Sequence, residues 1–302
     1  VEDPGTPVIY RTIERAGLEV VPVCVDEHGL EVARLDSARV DAVVLTPAHQ
    51  YPTGTVLAPH RSAQVIDWAR HHGTLVVEYE SDAEYRYDRE PIASLQGLGP
   101  DRVIYIGTAN TTLAPAVQLA WLVVPNRLGG EMAAEHEVAP AAPSVLTQAT
   151  YARLLERGTI DRHLRRARPR YQARRDALIR ALAHHMPEAT VGGAPLGLHL
   201  IAWLPDGADE AQIRTHATDR GIALHTLHRH AVVSAPRPPA LLLGYGLLAE
   251  PAISRAVEQL TESTRPIPRP RILTQPHAST IGDRRQRNQQ RPLAPLHPLP
   301  AT

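Results

Sequence analysis

Four stretches of this sequence carry side chains able to do chemistry. Thr46-Pro47-Ala48-His49-Gln50-Tyr51-Pro52-Thr53-Gly54 sets an imidazole, an amide and a phenol in one loop punctuated by Pro and Gly. Glu78 to Asp88 interleaves carboxylates with tyrosines, and Gly107-Thr108-Ala109-Asn110-Thr111-Thr112 is a small polar segment between two apolar runs. His225, His228 and His230 bring three imidazoles close together. As proton-transfer groups, His49, Tyr51, Tyr79 and Glu80 could serve an enzyme. Imidazole is also a common metal ligand. No Cys or well-spaced carboxylate lies near the last three histidines, so they are expected to line or rim a pocket, and no metal site is expected.

These groups need elements to hold them. Val103 to Ile106 and Leu119 to Val124 read as two buried strands flanking the polar segment, and Leu18 to Val25, Val40 to Thr46 and Thr74 to Tyr79 as further strands. Pro7 to Ala16 and Pro59 to His72 read as helices, the second closed by Gly73 as a left-handed stop. Strand and helix alternate, which argues an α/β class. Arg127 to Pro143 reads as a loop and irregular helix, a boundary between two domains. Beyond it, Ser144 to Gly158 and Thr159 to Met186 read as helices, the first capped by Ser144. Gly197 to Pro205, Ile222 to Leu224 and Ala240 to Tyr245 read as strands, and Asp209 to Arg220 and Pro251 to Glu262 as helices. The expected domains are 1–143, 144–262 and a Pro- and Arg-rich disordered tail over 263–302.

The stretch Val103 to Pro125 resembles the lysine-bearing segment of fold-type I aminotransferases dependent on pyridoxal 5′-phosphate, in the version GTxSKTLxPALRLGYLVVP of MocR-type regulators of the GntR family. Gly107, Thr108, Thr112, Leu113, Pro115, Ala116 and Leu119 match it. The opening Val1-Glu2-Asp3-Pro4-Gly5 resembles the family's VEDPGYP, the His49 loop resembles TPSHQFPTG, and Gly197 to Pro205 resembles GLHLVAWLP. The resemblance implies a partial large domain, a mostly parallel sheet flanked by helices, followed by a small C-terminal α/β domain. It also implies a start inside the large domain, a homodimer, and a loop at His49, Gln50 and Tyr51 that faces the ligand. In many aminotransferases of this fold an arginine for the substrate carboxylate stands at the position of Leu242.

At the chemistry positions the sequence departs from the family. The Schiff-base lysine position is Thr111, the serine that touches the cofactor phosphate is Asn110, and the phosphate-binding arginine is Gln118. Where the family has the aspartate that pairs with the pyridine nitrogen stands Tyr79, too weak an acid to keep that nitrogen protonated. An imine needs a primary amine, and the 302 residues include no lysine. Tyr79, Thr108, Asn110, Thr111 and Gln118 therefore read as a vestigial cofactor pocket with no intact catalytic residue, and no covalently held cofactor is expected.

Composition narrows the partners. A formal net charge of +0 gives no electrostatic grip on nucleic acid or an anionic membrane, despite the arginine-rich helix from Thr159. The single Cys24, read as a small buried hydrophobe, excludes a disulfide within the chain and suits a reducing cytoplasm. No apolar run has spanning length. Three readings follow: a degenerate, catalytically inactive aminotransferase-like domain; a module that binds a small-molecule effector without a covalent bond; or an enzyme that reuses the fold without the cofactor.

Overall fold

The computed structural model describes residues 1–88, 92–138, 143–233 and 236–264. In chain order the elements are β1 (Glu2–Asp3), α1 (Pro7–Arg15), β2 (Val23–Asp26), β3 (Gly29–Leu30), β4 (Ala42–Leu45), α2 (Pro59–His72), β5 (Leu75–Tyr79), α3 (Leu95–Leu98), β6 (Val103–Thr108) and β7 (Ala120–Val123). They continue with α4 (Gly129–Val138), α5 (Val145–Glu156), α6 (Thr159–His185), β8 (Thr190–Gly192), β9 (His199–Trp203), α7 (Glu210–Asp219), β10 (His225–Thr226), β11 (Ala240–Gly244) and α8 (Glu250–Thr264).

The first large sheet has the order β4-β5-β6-β7. Its first three strands are parallel and apolar, and β7 returns antiparallel with Thr108 opposite Ala120. Val65, Ile66, Trp68 and Ala69 of α2 share a core with Val43, Leu45, Val76 and Val103 of the sheet. Helix α2 starts at Pro59, where a missing N–H costs nothing, and Gly73 closes it at φ 72°. Glu2 of β1 reaches this layer with its carboxylate, which accepts from the Thr46 amide at 3.0 Å and its hydroxyl at 2.7 Å.

The second large sheet, β10-β11-β9-β8, is wholly antiparallel. On one side its residues Leu200, Ala202 and Leu241 pack with Leu178 and Leu182 of α6, Ile213 of α7, and Ile253 and Val257 of α8. On the other side Ile201, Ala240 and Leu242 pack with Leu227, and Tyr51 and Trp203 lean on them. The loop after β4 is thus carried against the second sheet. Ser144 and Asp209 cap α5 and α7, accepting from the Thr147 and Gln212 amides at 3.1 and 3.0 Å.

Several expectations change. The apolar run Leu119 to Val124 is not a buried strand: β7, at the edge of its sheet, exposes Ala120, Leu122 (48%) and Val123 (42%). The strand expected over 18–25 begins only at Val23, where β1 supplies a parallel ladder; Leu18 is exposed. Likewise, residues 222–224 precede the ladder with β11, which starts at His225. Cys24 is half-buried rather than enclosed. The expected tail lies outside the described residues from 265 onward.

Candidate functional site

The β6–β7 loop is built by its own polar groups. The Asn110 amide donates to Thr108 Oγ1 at 3.1 Å, and the Asn110 side-chain oxygen accepts from the Leu119 amide at 3.2 Å. Thr108 Oγ1 donates to the Leu119 carbonyl at 3.2 Å, which closes the segment at its neck. Farther out, Thr112 Oγ1 donates to the Ala109 carbonyl, and the Tyr85 hydroxyl donates to the Thr112 carbonyl at 3.0 Å. Thr108 and Asn110 therefore work on the loop itself. Thr111 is half-buried, and Gln118 is exposed in the left-handed region at φ 47°. Tyr79 ends β5 directly beside Ile106 of β6, so the structure brings all these positions to one end of the sheet. Burial first, then the charges of Asp82 and Glu80, raise the Tyr79 phenol above its usual range.

The loop from Thr46 to Gly54 has Gln50 as its centre. Its Nε2 donates to the Pro4 and Tyr51 carbonyls at 2.7 and 2.9 Å, and its Oε1 accepts from the Thr53 amide and hydroxyl at 3.1 and 2.6 Å. Those bonds spend the amide on the loop, so Gln50 is a buried organiser. Leu242, expected toward a ligand, is packed in the core of the second sheet. His49 is buried, its Nδ1 3.0 Å from Asp82 Oδ1, and the other Asp82 oxygen accepts from the Leu198 amide at 3.3 Å. His199 packs on His49 with ring centroids 4.7 Å apart and directs Nε2 at the Pro52 carbonyl, 3.3 Å away. The Tyr51 ring meets His199 edge-on at 4.8 Å and His230 at 5.2 Å.

Electrostatics follow from that enclosure. Burial raises the Asp82 carboxyl, but the charge and hydrogen bond of His49, aided by His199, outweigh it and leave the group lowered. Burial, with His49 nearby, pushes His199 down to about 4, so its ring is neutral near neutral pH. Asp82 and His199 were not singled out by the sequence reading. Each stood inside a motif, Asp82 among other carboxylates and His199 in an apolar strand, and nothing in the sequence marked them as neighbours.

Two cavities border these elements. One, about 610 Å³, is lined by Tyr10, Arg11, Tyr51, His225 and His230 among others, so two of the three late histidines do line a pocket. His230 Nδ1 faces the Gly5 carbonyl at 3.2 Å, while its Nε2 is buried with no hydrogen-bond partner among the described residues. The other, about 270 Å³, has Glu78 and Glu80 on its wall. Glu78 accepts from Ser94 Oγ at 2.6 Å and from the Leu95 and Gln96 amides at 3.1 and 2.9 Å, which caps α3. Glu80 accepts from the Ser81 and Ala83 amides, and burial followed by the Asp82 charge pushes it up to about 8. Alternation along the strand puts Glu80 with Glu78, away from Tyr79. The three late histidines do not converge on a common point: His228 is exposed, its own amide donating to Glu210.

The donor set at the vestigial positions does not fit pyridoxal phosphate. Thr111 offers no amine, Tyr79 no carboxylate and Gln118 no charge.

No family model matches the chain. It is 29% identical over 268 residues to the uncharacterized HTH-type transcriptional regulator YhdI of Bacillus subtilis, covering 88% of this chain and 57% of that one. It is 28% identical over 249 residues to the probable rhizopine catabolism regulatory protein MocR of Rhizobium meliloti, covering 81% and 50%. The chain thus spans about half the length of the curated relatives it matches. Among solved structures, the kynurenine aminotransferase of Pyrococcus horikoshii superposes with a TM-score of 0.78 at 24% identity, over 87% of this chain and 68% of that one. Sequence relatives that are regulators of this type and an architecture shared with aminotransferases lead to one conclusion: the chain is an aminotransferase-like domain of the MocR-regulator type, built on the fold-type I aminotransferase fold.

Proposed function

We propose that this domain is a degenerate member of that group, one that neither holds pyridoxal phosphate covalently nor transaminates. The observation that supports this is Thr111 at the Schiff-base position in a chain whose 302 residues include no lysine. Tyr79 and Gln118 point the same way, since the pocket would lack both its counter-ion for the pyridine nitrogen and a cation for the phosphate. In this reading residues 1–143 are the large domain and 144–262 the small one, the compartment is the cytoplasm, and a second copy packs as in the family. The exposed Leu122 and Val123 of β7 fit such packing. The test is a titration of the chain with pyridoxal phosphate, read by absorbance and by mass after borohydride reduction, beside Thr111→Lys/Tyr79→Asp/Gln118→Arg. No adduct on the parent and one on the variant is expected; a reducible adduct on the parent at a single site overturns the proposal.

A second reading has its own support. The 610 Å³ cavity, lined by the half-buried Tyr51 and by His230, whose enclosed Nε2 has no partner among the described residues, suits a small molecule bound without a covalent bond, the role of an effector module. The Nδ1 proton of His230 points at a carbonyl, so Nε2 is an acceptor, which a ligand O–H or N–H would reach only once the ring shifts toward the cavity. Under this reading pyridoxal phosphate or a substrate amine would raise the melting temperature of the parent by several degrees while leaving no reducible adduct, and His230→Phe would cancel the rise.

A further inference from the structure

His49, Asp82 and His199 come from three separated parts of the chain: the loop after β4, the loop after β5 and the start of β9. One donor atom from each lies within 4.8 Å of the other two. A zinc ion binds nitrogen and oxygen donors at about 2.0–2.2 Å, which places tetrahedral donors about 3.4 Å apart, so small side-chain rotations close this set around an ion. His49 and Asp82 already stand at 3.0 Å.

The surroundings fit a ligand set better than a surface coincidence. The Pro52 carbonyl can only accept, so the His199 nitrogen facing it carries the proton and the other ring nitrogen keeps its lone pair. A ring fixed through its second nitrogen by a backbone carbonyl is how metal-bound imidazoles are oriented. Asp82 is held in the same way by the Leu198 amide. Gly197 makes the room: a Cβ there would collide with the His49 ring and Asp82 Oδ2, and its φ of 75° disfavours any other residue. The side chains are buried, 2% exposed for His49 and 12% for Asp82, where a carboxylate shielded from water gains most from a cation.

We propose that His49, Asp82 and His199 form a binding site for one divalent transition-metal ion of the zinc type. Two imidazoles and a carboxylate suit zinc, cobalt or nickel, and are too poor in oxygen for calcium or magnesium. Three protein donors leave a coordination position open to water or a small ligand. The site would join the loop that carries Tyr51 to the second sheet, independently of whether the fold retains any aminotransferase chemistry.

The test uses the full chain stripped with a chelator and titrated with cobalt(II), read by its visible d–d absorption, then competed with zinc. One saturable equivalent, displaced by zinc, is expected. His199→Gln keeps a donor for the Pro52 carbonyl and removes the ligand nitrogen, so it should weaken binding at least tenfold. His228→Ala, at an exposed histidine, should leave binding unchanged. Absence of saturable binding at millimolar metal, equal binding by His199→Gln, or loss of binding in His228→Ala overturns the proposal. Should His199→Gln not fold, X-ray absorption of the loaded parent decides: two imidazoles with a carboxylate support the site, and any other count of imidazoles or a sulfur donor rules it out.

Discussion

The β6–β7 loop and the His49–Asp82–His199 node are both made of polar residues at strand ends, yet they are held in opposite ways. In the loop, the side chains of Thr108, Asn110, Thr112 and Tyr85 bond backbone groups of Leu119, Ala109 and Thr112, and none of these bonds uses the side chains of Thr111 or Gln118. In the node, the side chains are the framework, because Asp82 links an imidazole to the backbone of the second sheet. Positions whose side chains hold nothing together, as at Thr111 and Gln118, can change type while the loop keeps its shape. Positions whose side chains are the joints cannot. On the proposed reading, the departures at positions 111 and 118 beside an intact loop follow from that difference.

The largest test of this contrast is Asp82→Ala. It removes the partner of a buried imidazole and the acceptor of the Leu198 amide, and breaking a buried pair of this kind costs about 3 kcal/mol or more. A urea midpoint unchanged from the parent would mean that the node is not a joint. Next comes Glu78→Ala, which uncaps α3 by taking one carboxylate from three donors. About 2 kcal/mol is expected, since caps and charged hydrogen bonds each contribute on this scale. The loss should appear in denaturant unfolding, and Glu78→Gln should recover part of it.

The third test is electrostatic. Glu2 is fully buried, and although Thr46 bonds its carboxylate, burial pushes it up to about 7 from an ordinary value of 4.5. A folded-state value above the unfolded one means that the native state holds the proton longer. The stability Glu2 contributes is therefore fully present below pH 4.5 and is lost as pH rises through about 7. Glu2→Gln should flatten that decline, which for one proton cannot exceed about 1.4 kcal/mol per pH unit. Melting curves between pH 5 and 8 read the slope; equal slopes in parent and variant would show that Glu2 is ionised in the fold.

The sequence made the regular elements legible wherever a local signal existed. Pro59 with Gly73 bounds α2, Ser144 and Asp209 cap their helices, and the apolar run from Val103 marks β6. It failed where strand length depends on a neighbour: β2 begins where β1 supplies a ladder, and β7 is exposed although its residues are apolar. In the site, the departures at Tyr79, Asn110, Thr111 and Gln118 could be read because each differs in type from what the family carries. For Gln50 and Leu242, residue type does not reveal that the amide is hydrogen-bonded within its loop or that the leucine is packed. The node was invisible for a simpler reason: His49 and His199 are separated by about half the chain, and only the fold makes them neighbours.

The fourth and fifth tests return to the loop, where effects should be small. Gln118 sits at φ 47° and ψ 43°, a conformation that costs a residue with a Cβ about 1 kcal/mol and costs glycine little. Gln118→Gly should therefore stabilise by about 0.5 kcal/mol after its extra unfolded-state entropy is counted, an unusual sign for a glycine substitution. Thr111→Ala is the sharpest of the set because it expects almost nothing. The loop engages Thr111 through its carbonyl, toward which Tyr85 Oη lies 3.4 Å away, and alanine keeps that carbonyl. A change within about 0.5 kcal/mol is expected. A loss several times larger would show that the hydroxyl has become a structural joint, making the loop like the node and removing the reason for treating position 111 as a place where chemistry was given up without cost.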